Sequence, residues 1–220
     1  MLTAIDIVWS YKDALLMGTA MSVFVSGISI LMGMPLGLLL AFSLTSRNIF
    51  LRSFAVIYRS FWRGTPILVQ LLLVFYLLPA VGIDLSPITA AILALTLNTA
   101  AFQGEIFRGG LKGVGRGQLE AAQMLGLRMP TIRRRIVIPQ LFRLVTPAIT
   151  NESISILKNS SIISVISVTE LLRTGQQIVS STYRPLEVYV LIGVIYILLN
   201  LLISIGGRCA EAHFSKRAAV

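Results

Sequence analysis

Residues 120–139 read EAAQMLGLRMPTIRRRIVIP. The stretch is polar and basic, with Arg128 and the run Arg133–Arg135, yet long apolar segments flank it on both sides. Apolar segments of membrane length belong in lipid, whereas clustered arginines belong in water. We therefore expect a membrane protein in which this stretch forms a loop that a soluble partner can reach.

The composition supports a membrane protein and argues against a nucleic-acid-binding protein. The 220 residues are 55% hydrophobic and 13% charged, with a mean hydropathy of +0.84. A soluble domain of this size could not bury so much apolar surface. The net charge of +10 could suggest nucleic acid, but the charges lie between apolar runs, and few aromatic residues accompany them for stacking on bases.

Charge-free stretches locate the membrane segments, since about 20 apolar residues are needed to cross a bilayer as a helix. Lipid cannot satisfy a bare backbone, so we expect an all-α membrane protein with five transmembrane helices. The fourth is interrupted by Glu152 and Lys158. We expect one transmembrane domain over 1–220, with a cytoplasmic loop over about 107–145. The predicted spans are 15–44, 57–79, 86–106, 146–167 and 187–207.

The distribution of basic residues predicts the orientation of the chain. With the N-terminus outside, the cytoplasmic stretches 45–63, 107–145 and 208–220 carry four, eight and three basic residues, against three in the outer stretches. The last set is Arg208, Lys216 and Arg217. Cytoplasmic loops are enriched in lysine and arginine, so we expect the N-terminus outside and the C-terminus in the cytoplasm.

The loop sequence predicts a short helix over 118–127. Alanine favours a helix, Gly126 suits its end, and Pro130 prevents its continuation. The small side chains of Ala121 and Ala122 would let this helix lie close to a partner. Arg128 and Arg133–Arg135 could pair with acidic groups on that partner or with anionic lipid headgroups, and the two roles are compatible.

The stretch 120–139 resembles the EAA loop of ABC importer permeases, written EAA-x3-G-x9-I-x-L-P, with Ile138 in place of the leucine. Residues 61–79, 100–122 and 147–171 are also similar to permeases for polar amino acids, of the histidine/glutamine type. The resemblance implies the MetI-like permease fold. It also implies a multi-pass protein of the bacterial inner membrane that moves a polar amino acid by alternating access.

The same resemblance implies partners. In that family two permease subunits, copies or related chains, face each other, and a soluble solute-binding protein delivers substrate from outside. ATP-binding subunits dock on the coupling helices. The residues expected to couple to them are Glu120, Ala121, Ala122, Gly126 and Arg128. The sequence has no Gly-rich phosphate loop, so ATP and Mg²⁺ are expected in the partner, with no catalytic residue, metal or cofactor in this chain.

Polar residues in the predicted fourth span suggest a substrate path. Glu152, Ser155 and Asn159 would share one helical face, with Glu152 turned to the α-ammonium group of a substrate. The alternative is that Glu152 pairs with arginines of the loop. Lys158 could pair with another span, bind a substrate carboxylate or extend its ammonium group to the membrane interface, and we favour a structural partner. The family's Lys-Asp pair appears here as Lys158-Asn159, which weakens any prediction of a cationic substrate.

The second span contains Gly64, Thr65 and Pro66, followed by Gln70. Proline removes a backbone donor, so we expect a broken helix in which Thr65 and Gln70 offer hydrogen bonds to a polar ligand. The alternative is a proline kink that serves packing alone.

Other polar residues are expected to be structural. Asn98 and Gln103 should form hydrogen bonds between helices, and Glu105 and Arg108 should pair with each other. The glycines of the first span should mark close helix contacts. Two other functions stay open: a permease for a different small solute, and a self-sufficient secondary transporter or channel.

Overall fold

A computed structural model describes residues 4–216 of the chain, and the side chains of 9–115 and 117–214. Arg217 and the side chains of Arg116 and Lys216, which contribute to the predicted orientation, lie outside the described residues. So does the C-terminus itself.

The described residues form helices joined by short connections, with no strand among them. A π-helical segment over Arg133–Val137 precedes α7, and a 3-10 helix over Ser160–Ile166 follows it. The α-helices are α1 (Ala4–Leu44), α2 (Ile49–Gly64), α3 (Ile67–Ala80), α4 (Pro87–Gly113), α5 (Arg116–Met124), α6 (Met129–Ile132), α7 (Ile138–Asn159), α8 (Leu171–Thr182) and α9 (Pro185–Lys216).

Three of the described helices, α1, α4 and α9, are long and apolar enough to cross a membrane unaided. They contain the predicted first, third and fifth spans. Two bent pairs bring the count of candidate spans to five if each pair is one span. The fold is therefore all-helical, with three to five spans.

The predicted break in the second span is present, whereas the fourth span differs from the prediction of a single segment that ends at 167. The second is divided into α2 and α3, which meet at 111°, because Pro66 cannot continue the hydrogen-bonded ladder. The fourth continues beyond 167 through a 53° bend into α8. Ser167 adopts a left-handed conformation at that bend, with φ of 64°. Helix α8 was not predicted, because its polar residues and Arg173 resemble a loop.

Helix α4 is the centre of the bundle. Over its apolar stretch 67% of residues are buried inside the chain, against 11% for α9. Ser86 begins α4 by accepting a hydrogen bond from the Thr89 amide, and Pro87 occupies the first turn, where its missing amide costs nothing.

Small residues let α1 approach α4 closely. A Cβ atom built on Gly37 would lie 2.9 Å from the Gly104 nitrogen, and one built on Gly33 would lie 2.6 Å from the Thr99 methyl group. Glycines four residues apart typically form such contacts between membrane helices. By contrast, nothing in the chain lies within 4 Å of a Cβ at Gly27, so Gly27 marks no close contact within this chain.

The segment from Met129 to Ile166 runs without a sharp bend through α6, the π-helical turn, α7 and the 3-10 helix. The residues that join these pieces, Ile132, Arg133 and Ile138, all have right-handed helical backbone. The loop region is thus continuous with the fourth span.

The contact at Gly37 yields a test in matched variants. Gly37→Ala should destabilise the folded chain by about 1–3 kcal/mol, because the new methyl group meets backbone that cannot move aside. Gly27→Ala makes the same change on the same helix in open space, and should be neutral or slightly stabilising. Thermal unfolding midpoints of the purified variants check this. Equal shifts for both variants would contradict the close α1–α4 contact.

Candidate functional site

The break between α2 and α3 lies at Thr65 and Pro66. Thr65 is extended, with φ of −116° and ψ of 151°, and its amide still reaches back to the Phe61 carbonyl. Pro66 has no amide and begins α3 without a side-chain cap. Gly64 ends α2, and a Cβ there would meet nothing within 4 Å. The break therefore leaves open space on the side of Gly64.

Gln70 holds this break together. Its side chain is fully buried, and its Nε2 lies 2.9 Å from the Trp62 carbonyl, 3.0 Å from the Thr65 carbonyl and 2.8 Å from Thr65 Oγ1. The amide thus satisfies carbonyl groups that the end of α2 frees. In this arrangement the amino group of Gln70 is occupied by the protein, and Thr65 Oγ1 also donates to the Phe61 carbonyl at 2.8 Å.

Two neighbouring residues of α4 connect the break to α7. Asn98 Nδ2 donates to Gln70 Oε1 at 2.7 Å and to the Trp62 carbonyl at 3.2 Å. Thr99 Oγ1 donates to Glu152 Oε1 on α7 at 3.0 Å. The helix break and the Glu152 carboxylate are therefore held by the same turn of α4, and the structure brings these predicted site residues together.

Arg63 also belongs to this region, although the sequence placed it only among the cytoplasmic charges. Its guanidinium lies over the Phe102 ring of α4, 5.1 Å from the centroid. Arg63 is exposed, whereas Glu152 is partly buried. A guanidinium and a carboxyl group thus lie on the helices around the break. In the sequence, the adjoining Gly64-Thr65-Pro66 break was the only sign that Arg63 belongs to the candidate site.

Ser155 and Asn159 follow Glu152 on α7, which is regular through all three positions. Their spacing keeps them on one helical face. Ser155 Oγ donates to the Asn151 carbonyl at 3.1 Å, and Asn159 is the last residue of the helix. Lys158 is exposed on α7.

The remaining polar residues of α4 join helices. Gln103 Nε2 donates to the Ile30 carbonyl of α1 at 3.3 Å. Glu105 pairs with Arg108 on its own helix and lies 3.6 Å from Arg59 of α2. This ionic cluster fixes α2 against the end of α4.

Helix α5 begins at Arg116 and ends at Met124, three residues before the predicted end. Gly126 has φ of +75°, and the Leu127 amide returns to the Ala122 carbonyl at 3.1 Å. This is the left-handed cap that typically ends a helix at glycine. The helix ends before the predicted residue because the capping glycine lies outside the helix.

The surface of α5 differs from the expectation for Ala122. Glu120 and Ala121 are exposed, but Ala122 is only 3% exposed and packs within the chain, so its side chain is not free to meet a partner. Instead, Met124 is 90% exposed and Leu125 80% exposed at the tip of the helix. Arg128 is exposed and begins α6. An exposed apolar tip on a polar loop indicates a contact surface.

One buried carboxylate was missed. Glu170 is fully buried at the start of α8, where its oxygens accept from the amides of Leu172 (2.9 Å) and Arg173 (2.7 Å). Ser22 of α1 and Tyr196 of α9 donate to Oε2 at 3.2 and 3.0 Å. Glu170 therefore joins α1, α8 and α9. By its sequence, Glu170 falls in a predicted outer loop. The only sign that it caps a helix is its position between Thr169 and Leu171.

Among the residues whose side chains are described, no group of three or more His, Cys, Asp or Glu could hold a metal ion.

The geometry at Glu170 predicts a graded loss of stability. Glu170→Ala removes the helix cap, leaves Tyr196 without its carboxylate acceptor and leaves Ser22 with only the Gly18 carbonyl, at a cost of about 3 kcal/mol. Glu170→Gln keeps one acceptor oxygen and should cost less, and Tyr196→Phe, which removes one donor, should cost the least. Unfolding midpoints in detergent give the order, and a neutral Glu170→Ala would refute the role of this carboxylate as a cap.

Comparisons with known proteins place the chain in a family. Residues 33–216 match the model for the binding-protein-dependent transport system inner membrane component. The arginine transport system permease protein ArtQ of Bacillus subtilis is 34% identical over 198 residues, which cover 90% of each chain.

Solved structures agree in fold. A crystal structure of an amino acid ABC transporter with histidines has 34% identity and a TM-score of 0.88, over 97% of this chain and 99% of that one. The inward-facing MetNI methionine ABC transporter has 22% identity and a TM-score of 0.72, over 93% and 96% of the two chains. The second likeness shows the MetI-like permease fold. The chain therefore belongs to the family of inner membrane components of binding-protein-dependent transport systems.

Proposed function

We propose that this chain is the permease subunit of an ATP-driven importer that carries a polar amino acid by alternating access. The observation that carries the proposal is helix α5, which presents an exposed apolar tip and continues through α6 into the span that bears Glu152. Family membership supports the transport role, and the resemblance to permeases for polar amino acids supports the class of substrate.

Energy for transport comes from a separate subunit. The chain has no Gly-rich phosphate loop, so ATP and Mg²⁺ belong to ATP-binding subunits that dock on α5. Met124 and Leu125 enter a groove of that partner, with Glu120, Ala121 and Arg128 at the rim. ATP binding draws two such helices together and opens the path outward, and hydrolysis returns it to the inside.

The substrate path runs beside the break between α2 and α3. An amino acid carries an ammonium and a carboxylate group, and we assign the first to Glu152 and the second to Arg63. The polar groups of Thr65 and Pro66 are engaged within the break, so Gly64 gives the path its open space there, and Ser155 and Asn159 extend the face on α7. Gln70 supports the path from behind, because its amide already holds the break.

The transporter also needs further chains. A second permease, either a copy of this chain or a relative, faces the first across the path, and a solute-binding protein delivers the amino acid from outside. The excess of basic residues in 45–63 and 107–145 supports a cytoplasmic position for α5, in the inner membrane of a bacterium, with the N-terminus outside and the C-terminus in the cytoplasm.

A variant of Gly126 tests the coupling helix. Valine cannot easily adopt φ of +75°, so Gly126→Val should distort the end of α5, reduce recovery of the ATP-binding subunit and lower ATP-dependent uptake at least severalfold. Gly126→Asn is the control, because asparagine tolerates the left-handed conformation. Nothing lies within 4 Å of a Cβ at this position, so a clash is not the cause. Normal coupling in the valine variant would refute the assignment of α5.

A variant of Glu152 tests the path. Glu152→Gln keeps an oxygen that can accept from Thr99 but removes the charge, and should reduce uptake about tenfold or more, since a hydrogen bond to a charged group contributes about 1.5–3 kcal/mol. Assembly with the ATP-binding subunit should not change. Glu187→Gln removes a charge at the start of α9, away from the path, and serves as the control. Radiolabelled amino acid uptake measures both, and full uptake by Glu152→Gln would remove Glu152 from the path.

A further inference from the structure

Two cavities meet at the end of the bundle that carries α5. The first is an apolar groove of about 410 Å³ between α4, α7 and α9, lined by residues that include Phe107, Ile149 and Gly206. The second is a polar pocket of about 540 Å³, lined in part by Gln118, Arg135, Gln140 and Arg143. Phe142 and Phe214 line both cavities, so the groove and the pocket adjoin.

The shared wall is built by side chains from two helices. Phe142 of α7 and Phe214 of α9 stack with their rings 6.3 Å apart and 19° from parallel. On the polar side, Gln140 Nε2 donates to Gln118 Oε1 at 2.6 Å, which ties α7 to α5 across the base of the pocket. The pocket therefore has a defined floor as well as two arginines.

The charged side chains that line the pocket determine which kind of ligand it can bind. Arg135 and Arg143 both line the pocket, and no acidic side chain is among the described residues that line either cavity. Arginine presents several donors in a planar fork that suits phosphate oxygens. The groove beside it is lined almost wholly by apolar and small residues, which suits a hydrocarbon chain and not a peptide with polar backbone groups.

We propose that the pocket and groove together bind one anionic phospholipid, with its phosphate between Arg135 and Arg143 and an acyl chain along α9 past Gly206. Basic pockets between membrane helices typically bind anionic headgroups. The proposal goes beyond the proposed function and does not depend on transport. The bound lipid braces the base of α5 against α7 and α9.

Variants can separate the two halves of this site. Arg135→Ala with Arg143→Ala removes the headgroup contacts, and Arg134→Ala is the matched control, a neighbour on the same π-helical turn that does not line the pocket. Gly206→Leu narrows the groove, and its Cβ has open space, since nothing lies within 4 Å of a Cβ at Gly206. All of these positions are exposed, so the fold should tolerate the changes.

Native mass spectrometry of the full chain in its purified complex, titrated with phosphatidylglycerol, measures bound lipid directly. The native chain and Arg134→Ala should bind one anionic lipid per permease in preference to phosphatidylcholine. The double arginine variant and Gly206→Leu should each bind at least tenfold more weakly. Unchanged binding by the double variant overturns the headgroup site, and unchanged binding by Gly206→Leu overturns the groove as the acyl site.

A second arm separates lipid from soluble anion. Inorganic phosphate and glycerol phosphate share the headgroup chemistry but have no acyl chain, so neither should displace the lipid at concentrations up to a hundredfold excess. Displacement by either at comparable concentration overturns the lipid assignment in favour of a soluble anion. Because the readout is bound mass, a failure of the proposed transport function would not alter it.

Discussion

The turn between α2 and α3 frees backbone carbonyls inside the bundle, and in a bilayer such groups need partners from the protein itself. Gln70 and Asn98 supply them, through hydrogen bonds to the Trp62 and Thr65 carbonyls and to each other. Asn98 adjoins Thr99, which holds Glu152. A single turn of the most buried helix therefore keeps the break open and fixes the carboxylate beside it.

The long helices could be predicted because lipid imposes a simple rule of length and charge. The predicted spans 15–44 and 187–207 lie within α1 and α9, and 86–106 begins one residue before α4 and otherwise lies within it. The same rule could not register the 111° turn within 57–79, and that break was predicted from Gly64 and Pro66 instead. It also missed α8, whose stability comes from the cap at Glu170 and from packing near Gly175 and Ile192, and not from an apolar sequence.

The candidate site could be predicted where a residue type favours one particular backbone conformation. Gly126 marked the end of α5 because few other residues adopt its φ. The direction in which a side chain points was harder to predict. Ala122 packs inside the chain and the Gln70 side chain points into the helix break, and both orientations depend on tertiary packing. The contact of Arg63 with the Phe102 ring was not predicted, because the sequence cannot show which residues of α4 lie against the end of α2.

The unbroken course from Met129 to Ile166 has a mechanical consequence. Glu152 lies 23 residues beyond Met129, which corresponds to a shaft of about 35 Å at the usual helical rise. If this shaft pivots as a rigid body near Met129 by about 10°, its far end sweeps about 6 Å, the spacing of about four residues along a helix. A modest tilt at the Met129 end is thus geometrically amplified into a displacement as wide as a small solute.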